Sequence, residues 1–369
     1  WPRAPGGPAQ RQCLLFRPDP PIAMTPPSPA ANPTDLAVTL PWLLADIGGT
    51  NARFGWIDDP AEAARHSVSQ VKTLPVADHA TLGAAAQAYL AGLAEQARAA
   101  GRPWQPPRKA ALAVATPITG DQVSFTNSPW SFSRQVLQAD LGLEALLVLN
   151  DFEALALSLP TLGAAQLRPH AELPRAEGTL AVLGPGTGLG VGAVTRTPNG
   201  WQALPGEGGH VTLAAANDFE AEILRLARRE FEHVSAERFL SGTGLPTMHR
   251  CVAEALGQPS PELSPPEIIE RGLAGSDAAC SRTLDTFCAM LGGVAGNLAL
   301  TLGARGGVFI GGGIVPRLGE RFYASEFRAR FEAKGRFRGY LEGVPTALIT
   351  DTLAALRGTA LALLQHRSR

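Results

Sequence analysis

Cysteine is scarce in this chain. Cys13, Cys251, Cys280 and Cys288 form no C-x-x-C pair, so neither a disulfide framework nor a clustered zinc site is expected. They read as reduced, mostly buried thiols. Net charge is nearly absent too. The 32 Lys and Arg against 33 Asp and Glu leave −1, which gives no electrostatic footprint for DNA, RNA or an anionic membrane. No run reaches the roughly 18 apolar residues of a membrane span. The nearest, Ala289 to Ala304, is broken by glycines and an asparagine and reads as a buried, tightly packed helix. Three motifs are also missing: the G-x-x-x-x-G-K-[ST] phosphate loop, G-x-G-x-x-G, and the H-E-x-x-H of zinc hydrolases.

What is there suits a globular chain. At 369 residues, 45% hydrophobic and 18% charged, it has room for two domains and a sizeable core. Residues 1–40 stand apart, because they are crowded with proline and lack apolar periodicity. They are expected to be disordered and outside the fold, with Met24 as the expected true start of translation. Apolar runs predict strands at 42–45, 52–57, 70–74, 110–115, 122–125, 145–149, 179–183, 189–195, 307–310 and 346–349. Helical spacing predicts helices at 80–99, 133–141, 152–158, 218–232, 245–256, 265–273, 276–302 and 352–365. Strands followed by helices, twice over, indicate α/β architecture with two sheets. The glycine turns join strand to strand, so the sheets should be mixed, unlike those of a doubly wound dinucleotide fold.

Two glycine loops carry the strongest chemical signal. The first is Asp46-Ile47-Gly48-Gly49-Thr50-Asn51-Ala52-Arg53, and the second is Gly184-Pro185-Gly186-Thr187-Gly188-Leu189-Gly190. Phosphate oxygens need several N–H donors at close range, and glycine removes the obstructing side chain. Either loop alone could be an ordinary hairpin turn; the pair suggests a nucleotide held between two related halves. Asp46, at a strand end, suits Mg²⁺ held directly or through water, or a turn cap. Asn150-Asp151 ends an aliphatic strand. Asp151 suits a general base for a hydroxyl and equally an N-cap, roles that are compatible. Glu207, His210 and Glu237 lie among glycines, as in a polyol site where charged acceptors bind hydroxyls. Gly311-Gly312-Gly313 follows a buried strand, where a flat adenine or a ribose could approach the backbone, or where the chain simply turns.

Together these segments resemble the bacterial glucokinase family, within the hexokinase-like, actin-like ATPase superfamily. The resemblance runs from Leu43 to Gly358 through ADIGGTNARFGW, ATPITGDQVSFTNSPWSFS, LVLNDFEALALSLP, GPGTGLGVGAV, LPGEGGHVTLA, SAERFLSGTGL, GGVAGNLALTLG and GGVFIGGGIVPRL. It implies a two-domain fold, ribonuclease H-like, with mixed sheets flanked by helices and a cleft between a small and a large domain. The domains would be 41–160, completed by the C-terminal helix 352–369, and 161–351. It also implies ATP-dependent phosphorylation of the glucose 6-hydroxyl. Asp151 would be the base, and Asn150, Asp151, Glu207, His210 and Glu237 would hold the sugar. Asp46, Gly48, Gly49, Thr50 and Asn51 would serve phosphates and Mg²⁺. Gly184, Gly186, Thr187 and Gly188 would form the second phosphate loop, and Gly311, Gly312 and Gly313 would lie near the adenosine. A cytoplasmic homodimer is expected, with ATP and glucose as partners and neither nucleic acid nor membrane.

The chain departs from the family pattern at Ser128-Pro129 and loosely over Asp351 to Gly358. A kinase for another hexose on the same site is the nearest alternative. A branch containing open-reading-frame, kinase and repressor members usually carries a cysteine-rich zinc motif, which this chain lacks. A non-catalytic sugar sensor is disfavoured by the intact Asp151 and by a head that reads as no DNA-binding module.

Overall fold

Two mixed sheets organise the fold, and each is built around a glycine-turned hairpin. The computed structural model describes residues 39–125, 128–170 and 177–366. The expectation for residues 1–40 therefore lies, but for its last two residues, outside the described chain, as does Cys13.

In the first sheet, β1 (Trp42–Ile47) turns into β2 (Asn51–Ile57), antiparallel, with Asp46 opposite Arg53. Asp59 caps α1 (Pro60–Arg65), which leads to β3 (Ser69–Pro75) on the far side of β2. Thr81 caps α2 (Leu82–Ala99). Next come β4 (Lys109–Val114) beside β1, the small hairpin β5 (Gln122–Ser124) with β6 (Ser131–Ser133), α3 (Arg134–Asp140), and β7 (Ala145–Asn150). The order is β3-β2-β1-β4-β7, with the last three strands parallel. Side chains alternate across a strand. Leu43, Ala45 and Ile47 thus face the core under α2, where Phe54 stacks on Tyr89 at 5.2 Å, while Trp42 and Leu44 face the other way.

After α4 (Asp151–Ser158) and the edge strand β8 (Leu167–Pro169), the second sheet begins. β9 (Leu180–Pro185) turns into β10 (Leu189–Thr197), which turns into β11 (Gly200–Leu204). Helices α5 (Asp218–Ala227), α6 (Leu245–Ala255), α7 (Pro265–Ala274) and α8 (Ala278–Leu302) follow, then β12 (Gly307–Ile310). Four short helices, α9 (Val315–Leu318), α10 (Glu320–Ala324), α11 (Phe327–Glu332) and α12 (Arg338–Glu342), precede β13 (Thr346–Ile349) and α13 (Ala354–Gln365). The order is β11-β10-β9-β12-β13-β8. Apart from β8, the pairing repeats the first sheet strand for strand: two antiparallel pairs, then two parallel ones.

α8 is long and apolar enough to cross a membrane by length and composition, yet 67% of its most apolar window is buried. It is the core helix that the glycine-broken run predicts, and Gly292 and Gly296 let it press against the backbone of α11. Cys251, Cys280 and Cys288 are free and buried. α13 returns to pack on α4, β1 and β4.

Some expectations need correction. The helix expected over 218–232 ends at Ala227, and Arg228 to Phe231 leave it in tight turns onto Leu224, Leu226 and Ala227 carbonyls. Residues 315–342 carry no helix signal, because pieces of four to six residues are too short to show a period. Packing holds them instead, with Phe322 against Phe327 at 4.8 Å and Phe331 fully buried.

Candidate active site

The C-terminal ends of β1, β4 and β7 lie side by side, with Ile47 beside Val114 and Val114 beside Asn150. β1 thus delivers Asp46, and β7 delivers Asn150 and Asp151, to one edge of the sheet. Asn150 Oδ1 accepts from the N–H groups of Phe152 (2.9 Å) and Glu153 (3.4 Å), and its Nδ2 donates to Thr116 O at 3.4 Å. Asn150 is therefore the N-cap of α4, not Asp151. Asp151 is the first helical residue, and its Oδ1 accepts from Phe152 N at 2.9 Å. Burial pushes the Asp151 carboxyl up to about 6; the Phe152 N–H opposes this, and the charge of nearby Asp46 adds to it.

Burial also raises Asp46, while the Arg53 guanidinium, 3.8 Å away, pulls it down. Arg53 Nη1 donates to Thr352 O at 2.6 Å, which ties the first hairpin to the turn before α13. Gly48 N–H donates to Asn51 O at 2.9 Å and closes the loop. Gly48 and Gly49 are half-buried, and Thr50 and Asn51 are exposed at its tip.

The second loop is a meeting point. Gly186 N–H donates to Gly188 O at 2.8 Å, and Gly186 has open space where a side chain would stand. Thr187 is exposed beside it. Gly242 N–H donates to Gly186 O at 2.7 Å, and Ile314 N–H to Pro185 O at 3.2 Å. Gly311 is buried, while Gly312 and Gly313 are exposed. Gly312, at φ +77°, lies so close to Pro185 that a Cβ would overlap its carbonyl. The ring of Phe152 fills the space left by Gly184 and Gly190, so the residue after Asp151 is lodged against this loop.

Glu237 is held by the same hairpin. Its Oε2 accepts from Leu189 N at 2.9 Å, and its Oε1 lies 3.9 Å from His210 Nδ1. A side chain at Gly188 would overlap this carboxylate. Glu237 N–H donates to Gly209 O at 2.9 Å, and Gly209 is pressed on the Leu189 carbonyl with no room for a Cβ. Glu207 is exposed just before the single turn Gly208–His210. The second loop, the 311–313 turn, Glu237 and His210 are thus joined directly, with Glu207 three residues along the chain. The first loop follows Asp46, whose charge acts on Asp151, next to the Phe152 that packs on the second loop. Among the described residues no three His, Cys, Asp or Glu side chains gather as a metal cage, which leaves His210 with Glu237 alone. Arg53, Thr116 and Phe152 are given no site role by the sequence. Arg53 stands within the first glycine segment, and Thr116 within the ATPITG segment of the family resemblance, with no role attached to either.

A family model described as Glucokinase matches residues 43–366. The glucokinase of Aromatoleum aromaticum is 49% identical over 90% of this chain and 97% of its own. That of Chromobacterium violaceum is 47% identical over 90% and 92%. The crystal structure of a glucokinase from an Antarctic psychrotroph superposes with TM-score 0.79 at 38% identity, covering 88% of this chain and 98% of that one. At 17% identity and TM-score 0.54, a ROK family glucokinase from Streptomyces griseus, solved with glucose and AMPPNP, shares the fold over 87% and 98%. With a family model spanning both sheets and relatives at nearly half identity, this chain belongs to the glucokinase family.

Proposed function

We infer that the chain transfers the γ-phosphoryl group of ATP to the 6-hydroxyl of glucose, giving glucose 6-phosphate and ADP. The observation that carries this reading is the Asp151 carboxylate at the end of β7, with Asp46 of the first loop close enough to act on its charge and Phe152 beside it lodged against the second loop; burial raises that carboxyl to about 6. At neutral pH it is mostly ionised and still basic enough to take a proton. In this reading Asp151 accepts the proton of the 6-hydroxyl as its oxygen attacks the γ-phosphorus and ADP departs. Asn150, already fixed as the N-cap, presents its remaining amide capacity to the sugar. Glu207, His210 and Glu237 accept and donate to the other hydroxyls, with Glu237 oriented by the Leu189 N–H. Backbone amides of Gly48 to Asn51 and Gly184 to Gly188 cradle phosphates, and Gly311 to Gly313 face the adenosine.

The residues fit Mg²⁺, which binds through one or two carboxylates plus substrate phosphates rather than a protein cage. Asp46 would hold it, directly or through water, and the bound ion would neutralise charge on the phosphates. The Asp46 carboxylate, half-buried with one guanidinium beside it, is the donor of that kind at the first loop.

The same reading divides the chain into a small lobe, 41–160 with 352–369, and a large lobe, 161–351, closing over the sugar. Closure would exclude water as a rival acceptor. A cytoplasmic homodimer, without nucleic-acid or membrane partners, completes it.

The test is ADP release by purified protein with Mg-ATP and glucose, mannose, fructose, glucosamine or N-acetylglucosamine. Strong turnover with glucose and weak turnover with the rest is expected. Preference for another sugar would move the substrate, and silence with all five would overturn the enzymatic reading.

A further inference from the structure

Behind the sugar loop lies a cavity of about 530 Å³, between α8 and residues 208–216. That is the size of many small-ligand sites. Val191, Leu213, Met290, Val294 and Leu298 give it apolar walls, and no Asp or Glu lines it. Lys334, one of only three lysines in the chain, stands at its edge. Its Nζ donates to Gly293 O (2.9 Å) and Asn297 Oδ1 (2.8 Å), and an ammonium has three donors. Among the described residues no carboxylate pairs with it, and neighbouring Arg330 is matched to Glu220 at 2.7 and 3.0 Å. Burial, and then Arg330, push the Lys334 ammonium below its ordinary pKa, and no carboxylate lines the cavity to offset them.

We propose that this cavity binds an aliphatic anion, a carboxylate or phosphate head on an apolar chain, with the head at Lys334, and that its occupant tightens glucose binding. The second half rests on the glucose kinase reading above. Cavity and sugar site share one wall. The segment running on from Glu207 and His210 is zipped to 234–237 by Leu213 N–H to Val234 O (3.0 Å), Ala236 N–H to Val211 O (2.9 Å) and Glu237 N–H to Gly209 O (2.9 Å). An apolar chain packed on Leu213 braces the strip that sets His210 and Glu237 side by side.

Decanoate is the probe, with decanol as its uncharged control, followed by titration calorimetry and by the KM for glucose. Saturable one-to-one binding of decanoate is expected, with decanol weaker by about tenfold or more, the worth of one charge-assisted hydrogen bond. Lys334→Met should lose that preference for the anion. Gly293→Leu should abolish binding, because a Cβ there meets nothing within 4 Å and the longer chain grows into the cavity. Both variants should keep a wild-type melting transition. Decanoate should lower the KM for glucose by about threefold or more, a shift above 0.6 kcal/mol. Absent binding, or binding unchanged in both variants, would overturn the site. Burial of the cavity by a second copy, read as binding only to a dissociated monomer, would overturn it too. Binding with an unmoved KM would overturn the coupling. Binding by a chain that turns over no sugar would leave the site standing and sink the kinase reading instead.

Discussion

Asp151 carries two opposing influences in one side chain. As the first residue of α4 it accepts an N–H and sits at the positive end of a helix, both of which favour its charge. Burial and the facing Asp46 oppose that charge, and they win, with a carboxyl at about 6. A base works only when ionised, so kcat/KM should rise with pH through about 6 and level off above it. A limb near the ordinary 3.8 would show that the burial is not felt in solution. The same shift has a cost. A carboxyl raised on folding contributes stability below its unfolded value of 3.8, and that contribution is lost as pH rises through about 6. Asp151→Asn should therefore raise the melting temperature at pH 8, by a free energy on the order of 1–3 kcal/mol, with the gain shrinking toward pH 4. A lower melting temperature at pH 8 would contradict this.

At the scale of elements, α4 and α13 join the sheets, and glycine sets how closely they cross. Gly358 lies so near the Ala154 carbonyl that a Cβ would overlap it, and a Cβ at Gly192 would stand 2.7 Å from Phe152 O on the other flank of α4. Gly358→Ala should destabilise the fold by roughly 2–3 kcal/mol or more, read by urea unfolding. A wild-type midpoint would show that the crossing can relax. Much of this architecture was legible. β1, β2, β9, β10 and β12 show as apolar runs flanking glycine turns, and α6, α7 and α8 start and stop within two residues of expectation. β8 and β11 were missed because they are short edge strands, half exposed, whose places are set by partners. In the candidate site, the structure brings together glycines and acids that stand out in the sequence because each group forms a local pattern. The Asn150 cap was not, because a helix start is ambiguous by one residue. Nor was the Arg53 bond to Thr352, which spans 299 residues.

At the scale of the molecule, one strand pattern occurs twice, and each copy supplies one glycine loop from its first hairpin. Asp151 enters from the end of the first sheet, and Glu237 is bonded to the second, at Leu189. The Phe152 ring packed on Gly190 and the Leu189 N–H bond to Glu237 link the two, and the proposed transfer would bring glucose and the γ-phosphate together there. The helix start and burial both position Asp151, and in the proposed transfer a base fixed in this way favours the transition state. The most direct measurement pairs turnover with calorimetric glucose binding in Asp151→Asn. The predicted result is a kcat lower by about 10²–10⁴, the usual worth of a general base, with glucose affinity within about threefold of wild type. Near-normal turnover in that variant would contradict the assignment of Asp151 as the base.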